Sequence, residues 1–183
     1  MIVMLLLAGV TLDLPALPDG ECLEAGFTQT RTLPALSRPL TLKGRLRIER
    51  DNGLDWRILA PYQYRFAVRG ATITETLPDG TSRVVDDAEA PWLRGMSEMF
   101  SAMLRGDEAG FTEWFEVIDT GSTEDGQRIR LAPANELVAQ AMTAIEILHD
   151  DAHLRALRIE EAGGGTTAFA FDPLVHCETG ETR

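Results

Sequence analysis

The chain has little positive charge, few cysteines and no apolar run long enough to cross a membrane, and each shortage removes a class of function. Lys and Arg number 17 against 29 Asp and Glu, a net charge of −12 over 183 residues. Nucleic acid and anionic membrane surfaces both require a basic face, so neither is expected as a partner. The two cysteines, Cys22 and Cys177, form no C-x-x-C pair, which argues against structural zinc. The apolar run Ile2–Val10 is too short for a transmembrane helix. No serine lies in a G-x-S-x-G context, and Ser97 and Ser122 have no histidine close in sequence. His149 and His153 are four apart around Asp150 and Asp151, but that spacing converges ligands only on a helix, and a strand turn is predicted there. Asp86, Asp87 and Glu89 read as a solvated acidic loop, and Arg105-Gly106-Asp107 as a helix terminus. The expectation is a protein with no catalytic residues, no metal and no cofactor. Without repeats, low-complexity tracts or linkers, the length suits one domain with a sizeable core.

What is present is alternation. Leu40, Leu42, Leu46 and Ile48 fall on one parity, with Thr41, Lys43, Arg45, Arg47 and Glu49 on the other. After Asp51-Asn52-Gly53 the apolar face resumes at Leu54, Trp56 and Ile58. This pattern predicts an antiparallel hairpin with one apolar and one charged side. The cations Arg45, Arg47, Arg50 and Arg57 on that charged side read as a solvated strand face. Tyr62, Tyr64, Phe66 and Val68 continue the alternation, and Pro78-Asp79-Gly80 marks a turn between Ala71–Leu77 and Ser82–Asp86. The first half is thus a meander of five or six strands.

The period then changes. Trp92, Leu93, Met96, Met99, Phe100, Met103 and Leu104 recur at steps of three and four, predicting an amphipathic helix that starts after Pro91 and stops at Gly106. A short helical turn is expected through Phe111, Trp114 and Phe115. Phe115–Thr120 and Gln127–Leu131 read as a hairpin around Gly121–Gly126, and Asn135–Thr143 as one or two helical turns. Ile145 and Ile147, Leu157 and Ile159, and Thr167, Phe169 and Phe171 mark three further strands, separated by Asp150-Asp151 and Gly163-Gly164-Gly165. The sum is a large curved antiparallel sheet with helices against one face.

The ends are less determined. Ile2–Val10 has the length of a signal-peptide apolar region, but no Lys or Arg precedes it and no A-x-A site follows. It is expected to be an atypical export signal, or the true start lies upstream, or the segment is packed structure. Cys22 and Cys177 can join the termini in an oxidising compartment or stand as separate thiols in a reducing one. The expected division is 1–20 as export signal or unstructured lead, 21–174 as the domain and 175–183 as a tail held only if Cys177 is tied down.

Several of these residues resemble those of the outer-membrane lipoprotein carrier proteins (LolA-like), in a divergent branch. The resemblance rests on F-x-Q-x-R at Phe27, Gln29 and Arg31, and on Pro39, Leu40, Gly44 and Leu46. It continues through R-x-x-x-L-x-W ending at Trp56, Pro61, a helix ending in L-x-x-GD before an F-x-x-x-F, Leu131-Ala132-Pro133 and Ile145-Glu146-Ile147. It implies a mainly β fold with a helical lid (α+β), a half-open, strongly curved antiparallel barrel of about eleven strands closed by helices. It also implies a periplasmic carrier that takes acyl chains of lipoproteins from an inner-membrane exporter to an outer-membrane receptor. On that basis Leu46, Ile48, Trp56, Ile58 and Phe66 are expected to line the cavity beneath a lid of Met96, Met99, Phe100 and Met103. Arg50, six residues before Trp56, inherits the family's lid-holding role, although this chain reads R-D-N-G-L-D-W where the family usually has proline after the arginine. Two other functions fit the same residues: a shuttle for another lipid, glycolipid or polyketide tail, and a non-catalytic periplasmic sensor or interaction module.

Overall fold

The computed structural model describes residues 21–49, 53–70, 72–85, 102, 107–150 and 154–177. The helix expected between Pro91 and Gly106 lies outside them, apart from Ala102, which is helical and buried. The described residues form a mainly β structure, an antiparallel sheet of twelve strands that curves without closing into a barrel.

The strands are β1 (Cys22–Thr32), β2 (Leu40–Glu49), β3 (Gly53–Ala60), β4 (Tyr64–Arg69), β5 (Thr72–Thr76) and β6 (Ser82–Val84) in the first half. The second half holds β7 (Phe115–Thr123), β8 (Gly126–Pro133), β9 (Met142–His149), β10 (Leu154–Glu161), β11 (Thr166–Phe171) and β12 (Val175–His176). Two short helices, α1 (Glu108–Thr112) and α2 (Glu136–Ala139), precede β7 and β9. The spatial order is β6-β5-β4-β3-β2-β1-β11-β10-β9-β8-β7, with β12 paired to β1. Each half is a meander of hairpins, and the halves are joined where β1 meets β11, from Phe27 opposite Phe171 to Thr32 opposite Thr166.

Local chemistry explains the boundaries. Gly53 opens β3 at a φ of +90°, a conformation that glycine reaches without strain, and a Cβ there would run into the Val68 carbonyl. Asp107 caps α1 by accepting the Gly110 N–H at 3.0 Å, and Asn135 caps α2 by accepting the Val138 N–H at 3.1 Å. The structure departs from the sequence pattern at several points. β1 begins at Cys22, before the recognisable Phe27, because its pairing with β2 carries through Ala25 and Glu24. The β7–β8 hairpin is longer and its turn tighter than the pattern suggests, since Ser122 still pairs with Gln127. Met142 starts β9 rather than ending a helix, because α2 stops at Ala139. Leu40 and Tyr62 share the parity of the apolar strand faces yet are exposed, one at the start of β2 and the other in the β3–β4 turn.

One face of the sheet carries the core. Leu46, Leu131 and Ile145 on the strands, Phe115 at the start of β7, and Phe111 and Val138 on the helices are all fully buried. The first and last strands are tied together: Cys22 at the head of β1 is disulfide-bonded to Cys177, just after β12, with 5.1 Å between their Cα atoms. The Cys177 N–H also donates to the Cys22 carbonyl at 3.0 Å.

Candidate functional site

The inner face is built by strand alternation. In β1, Phe27, Gln29 and Arg31 share a side, and across the ladder they meet Gly44, Leu42 and Leu40 of β2. Trp56 and Leu54 of β3 stand opposite Leu46 and Ile48, and Phe66 of β4 stands opposite Trp56. On the other side of β1, Phe171 and Phe169 lie opposite Phe27 and Gln29. Of the residues expected to line a cavity, Leu46, Ile48 and Ile58 are buried, while Trp56 and Phe66 are half-buried and pack on the core. Met96, Met99, Phe100, Met103 and Arg50 lie outside the described residues.

The sequence pattern missed the centre of this surface, a cluster of four aromatic rings from three strands. The Phe27 and Trp56 centroids are 4.2 Å apart, and Trp56 meets Phe169 edge-on at 5.1 Å. Phe171 completes the group at 6.2 Å from Phe27 and 6.1 Å from Phe169. Such tilted and edge-to-face pairs bring large apolar area together in favourable geometry. Gly44 makes the arrangement possible, because a Cβ there would collide with the Phe27 ring and the Arg57 carbonyl. The motif glycine is thus a space requirement rather than a turn. Phe169 and Phe171 were legible as strand residues, but only the β1–β11 register reveals that they face Trp56.

The inner face becomes polar beyond this cluster. Arg31 donates from Nε and Nη2 to the two oxygens of Glu161, both at 3.0 Å, and Thr167 donates to Glu161 at 2.8 Å. The Arg31 hydrogen bond is the main reason that the Glu161 carboxyl lies below its ordinary range. Toward the β6 edge, Arg83 donates to Glu75 at 2.9 Å, and burial followed by the Glu75 hydrogen bond raises the Tyr64 phenol well above its usual value.

The outer face holds a second feature. Asp55, on the charged side of the predicted hairpin, is only 2% exposed. Arg57 donates to its carboxylate at 3.0 and 3.1 Å, and Arg65 Nε donates to both oxygens at 3.1 and 3.0 Å. Arg69 Nη2 lies 3.8 Å away, while its Nη1 donates to the Leu54 and Val68 carbonyls. Burial pushes the Asp55 carboxyl up, but the Arg57 and Arg65 hydrogen bonds together outweigh burial, and it lies below the ordinary aspartate range. Arg45 and Arg57 on the expected solvated strand face are indeed exposed to solvent, and Arg57 is in addition organised, with Arg65, around Asp55. Arg45 pairs with Glu24 at 3.0 Å and Arg47 with Glu49 at 2.6 Å along the same strands.

Among the described residues no group of His, Cys, Asp and Glu is placed to hold a metal ion, and no helix is long and apolar enough to cross a membrane.

A family model described as outer membrane lipoprotein carrier protein LolA-like matches residues 13–167. No curated protein sequence matches the chain. Among solved structures, the chain is similar to a LolA superfamily protein from Nitrosomonas europaea at 9% identity and a TM-score of 0.46, covering 90% of this chain and 89% of that one. It is also similar to a DUF1329 family protein from Desulfovibrio piger at 10% identity and a TM-score of 0.49, covering 88% of each. A third similarity is to the MucA/MucB complex of Pseudomonas aeruginosa, at 14% identity and a TM-score of 0.43, where 88% of this chain covers 54% of the other.

Proposed function

Since the chain belongs to the LolA-like outer-membrane lipoprotein carrier family, we propose that it is a non-catalytic periplasmic carrier that holds the acyl chains of a lipoprotein against its inner face. The observation that carries this is the aromatic cluster of Phe27, Trp56, Phe169 and Phe171, set beside Leu46, Ile48, Ile58 and Phe66. Flat rings next to aliphatic side chains form a broad apolar face that, once uncovered, a flexible hydrocarbon chain can lie along. The Cys22–Cys177 disulfide supports an oxidising compartment.

A carrier must also release its cargo. Each methylene withdrawn from water contributes about 0.8 kcal/mol, so twelve of them would bind by about 10 kcal/mol if the surface were otherwise wet. A protein cover that occupies the same surface in the empty state competes with the cargo and lowers its net affinity. Met96, Met99, Phe100 and Met103 are the residues proposed for that cover, with Arg50, which follows β2 in the sequence, as its contact. Methionine suits the role because its unbranched side chain adapts to several shapes. Family partners, an inner-membrane donor and an outer-membrane acceptor, belong to the same proposal.

Native mass spectrometry of gently purified protein tests it. A bound acylated species is expected, displaced by a fluorescent fatty-acyl probe whose saturable binding, read from the probe's own emission, weakens at least fivefold in Trp56→Ala. A co-purified free lipid, glycolipid or polyketide would reassign the cargo. Absence of both bound lipid and probe binding would remove the carrier function.

A further inference from the structure

The outer face of β2, β3 and β4 carries an ordered array of guanidiniums on a strongly acidic protein. Arg45, Arg57 and Arg65 stand directly opposite one another across three adjacent strands, a row bounded by Gly26 on β1 and Thr76 on β5. At ordinary strand spacing the row spans about 10 Å. Like charges directly opposite on a sheet repel, so such a row persists only with compensation. The next row supplies it, with Glu24, Arg47, Asp55, Ala67, Thr74 and Val84 in register from β1 to β6. Asp55 is a single anion beneath three cations, Arg57, Arg65 and Arg69.

The arrangement does more than neutralise charge. Because Asp55 is buried and accepts from both guanidiniums, it holds Arg57 and Arg65 in place while their side chains stay 40% and 36% exposed. Arg45 beside them is 59% exposed and has Glu24 as its acidic partner. Between Glu24 and Glu49 the chain has Arg31, Arg38, Lys43, Arg45 and Arg47 and no acidic residue, in contrast to its overall charge of −12. Lys43 adds an exposed cation to the same side of β2.

We propose that this face docks an acidic polypeptide segment of a partner protein, whose carboxylates lie along the Arg45–Arg57–Arg65 row. Planar guanidiniums fixed in advance match carboxylates with two parallel hydrogen bonds and lose little freedom on binding. A bilayer is a poorer occupant. The row itself ends on glycine and threonine, the exposed Leu59 and Val84 near it stand on separate strands, and the rest of the chain repels an anionic surface. The surface lies on the opposite side of the sheet from the aromatic cluster, so docking leaves the inner face open and does not depend on what that face carries.

The test uses the full chain and a fluorescein-labelled oligo-glutamate peptide, read by anisotropy at low and moderate salt. Binding that weakens as salt rises is expected, together with a five- to tenfold loss in Arg45→Gln, whose only displaced partner in the network is Glu24. Lys43→Gln, an exposed change with no such partner, is expected to lose two- to fivefold and covers the case in which Arg45→Gln does not fold. Arg155→Gln, which removes the same charge from β10, is expected to change affinity less than twofold. Equal losses at position 155, no binding of the peptide, or tighter binding to phosphatidylglycerol vesicles than to the peptide would each overturn the proposal.

Discussion

Replacing Asp55 by asparagine separates an organised network from a solvated strand face. The substitution preserves shape and one acceptor but removes the charge that three arginines surround. A charge-assisted hydrogen bond contributes a net of about 1.5–3 kcal/mol, and Asp55 accepts from both Arg57 and Arg65 through forked pairs. The guanidiniums are more than a third exposed, so water recovers part of that interaction once the anion is gone. With one acceptor retained, the expected loss is about 3 kcal/mol, the lower end of the range for breaking a buried pair. For a domain of this size that corresponds to about 6–12 °C in the melting temperature. Urea and thermal unfolding followed by circular dichroism at pH 7 measure it directly. The pH dependence has a definite sign. The folded-state carboxyl lies below its unfolded value, so its stabilisation is complete above the unfolded aspartate range, about 3.9, and disappears as pH falls through the lower folded value. The gap between the native protein and Asp55→Asn should therefore be widest near neutrality and close in strong acid. A difference within about 0.5 kcal/mol at pH 7, the scale of ordinary surface substitutions, would refute the network.

Two further perturbations probe the scaffold. Gly44→Ala should destabilise by about 1–3 kcal/mol, because the new methyl meets the Arg57 carbonyl, which is backbone and cannot swing aside; an unchanged urea midpoint would contradict that contact. Reducing the Cys22–Cys177 bond, which closes a loop of sequence separation 155, should cost about 2–4 kcal/mol against a chain-entropy ceiling near 5. A melting temperature insensitive to dithiothreitol would show that β1 and β12 are held together by other means.

How far the sequence anticipated all this depends on the range of the interactions. The β2–β3 hairpin was legible because Leu42, Leu46, Ile48, Leu54 and Ile58 alternate on one parity and are all buried. The mainly β, open and curved architecture was legible from many such short runs and from the family motifs. Asp55 was not, since an acid among arginines on a strand looks solvated until β4 brings Arg65 and Arg69 beside it. The aromatic cluster escaped for the same reason, because Phe27 and Phe169 are far apart in sequence and meet only through the β1–β11 ladder. Met142 misled because its spacing from Val138 satisfies a helix, whereas the chain switches to strand between them and buries both.

The strand order has a consequence for how such a sheet can be opened. Its two free edges, β6 and β7, are consecutive in the chain, while its first and penultimate strands are sewn together at the centre. Residues 85–114 are therefore the connection from one edge to the other, and within it Val85, Ala102 and Phe111 are buried in the core. The ladder pairings end at Val84 on one edge and begin at Phe115 on the other, so the hydrogen bonds within the sheet are made independently of how its two edges are joined.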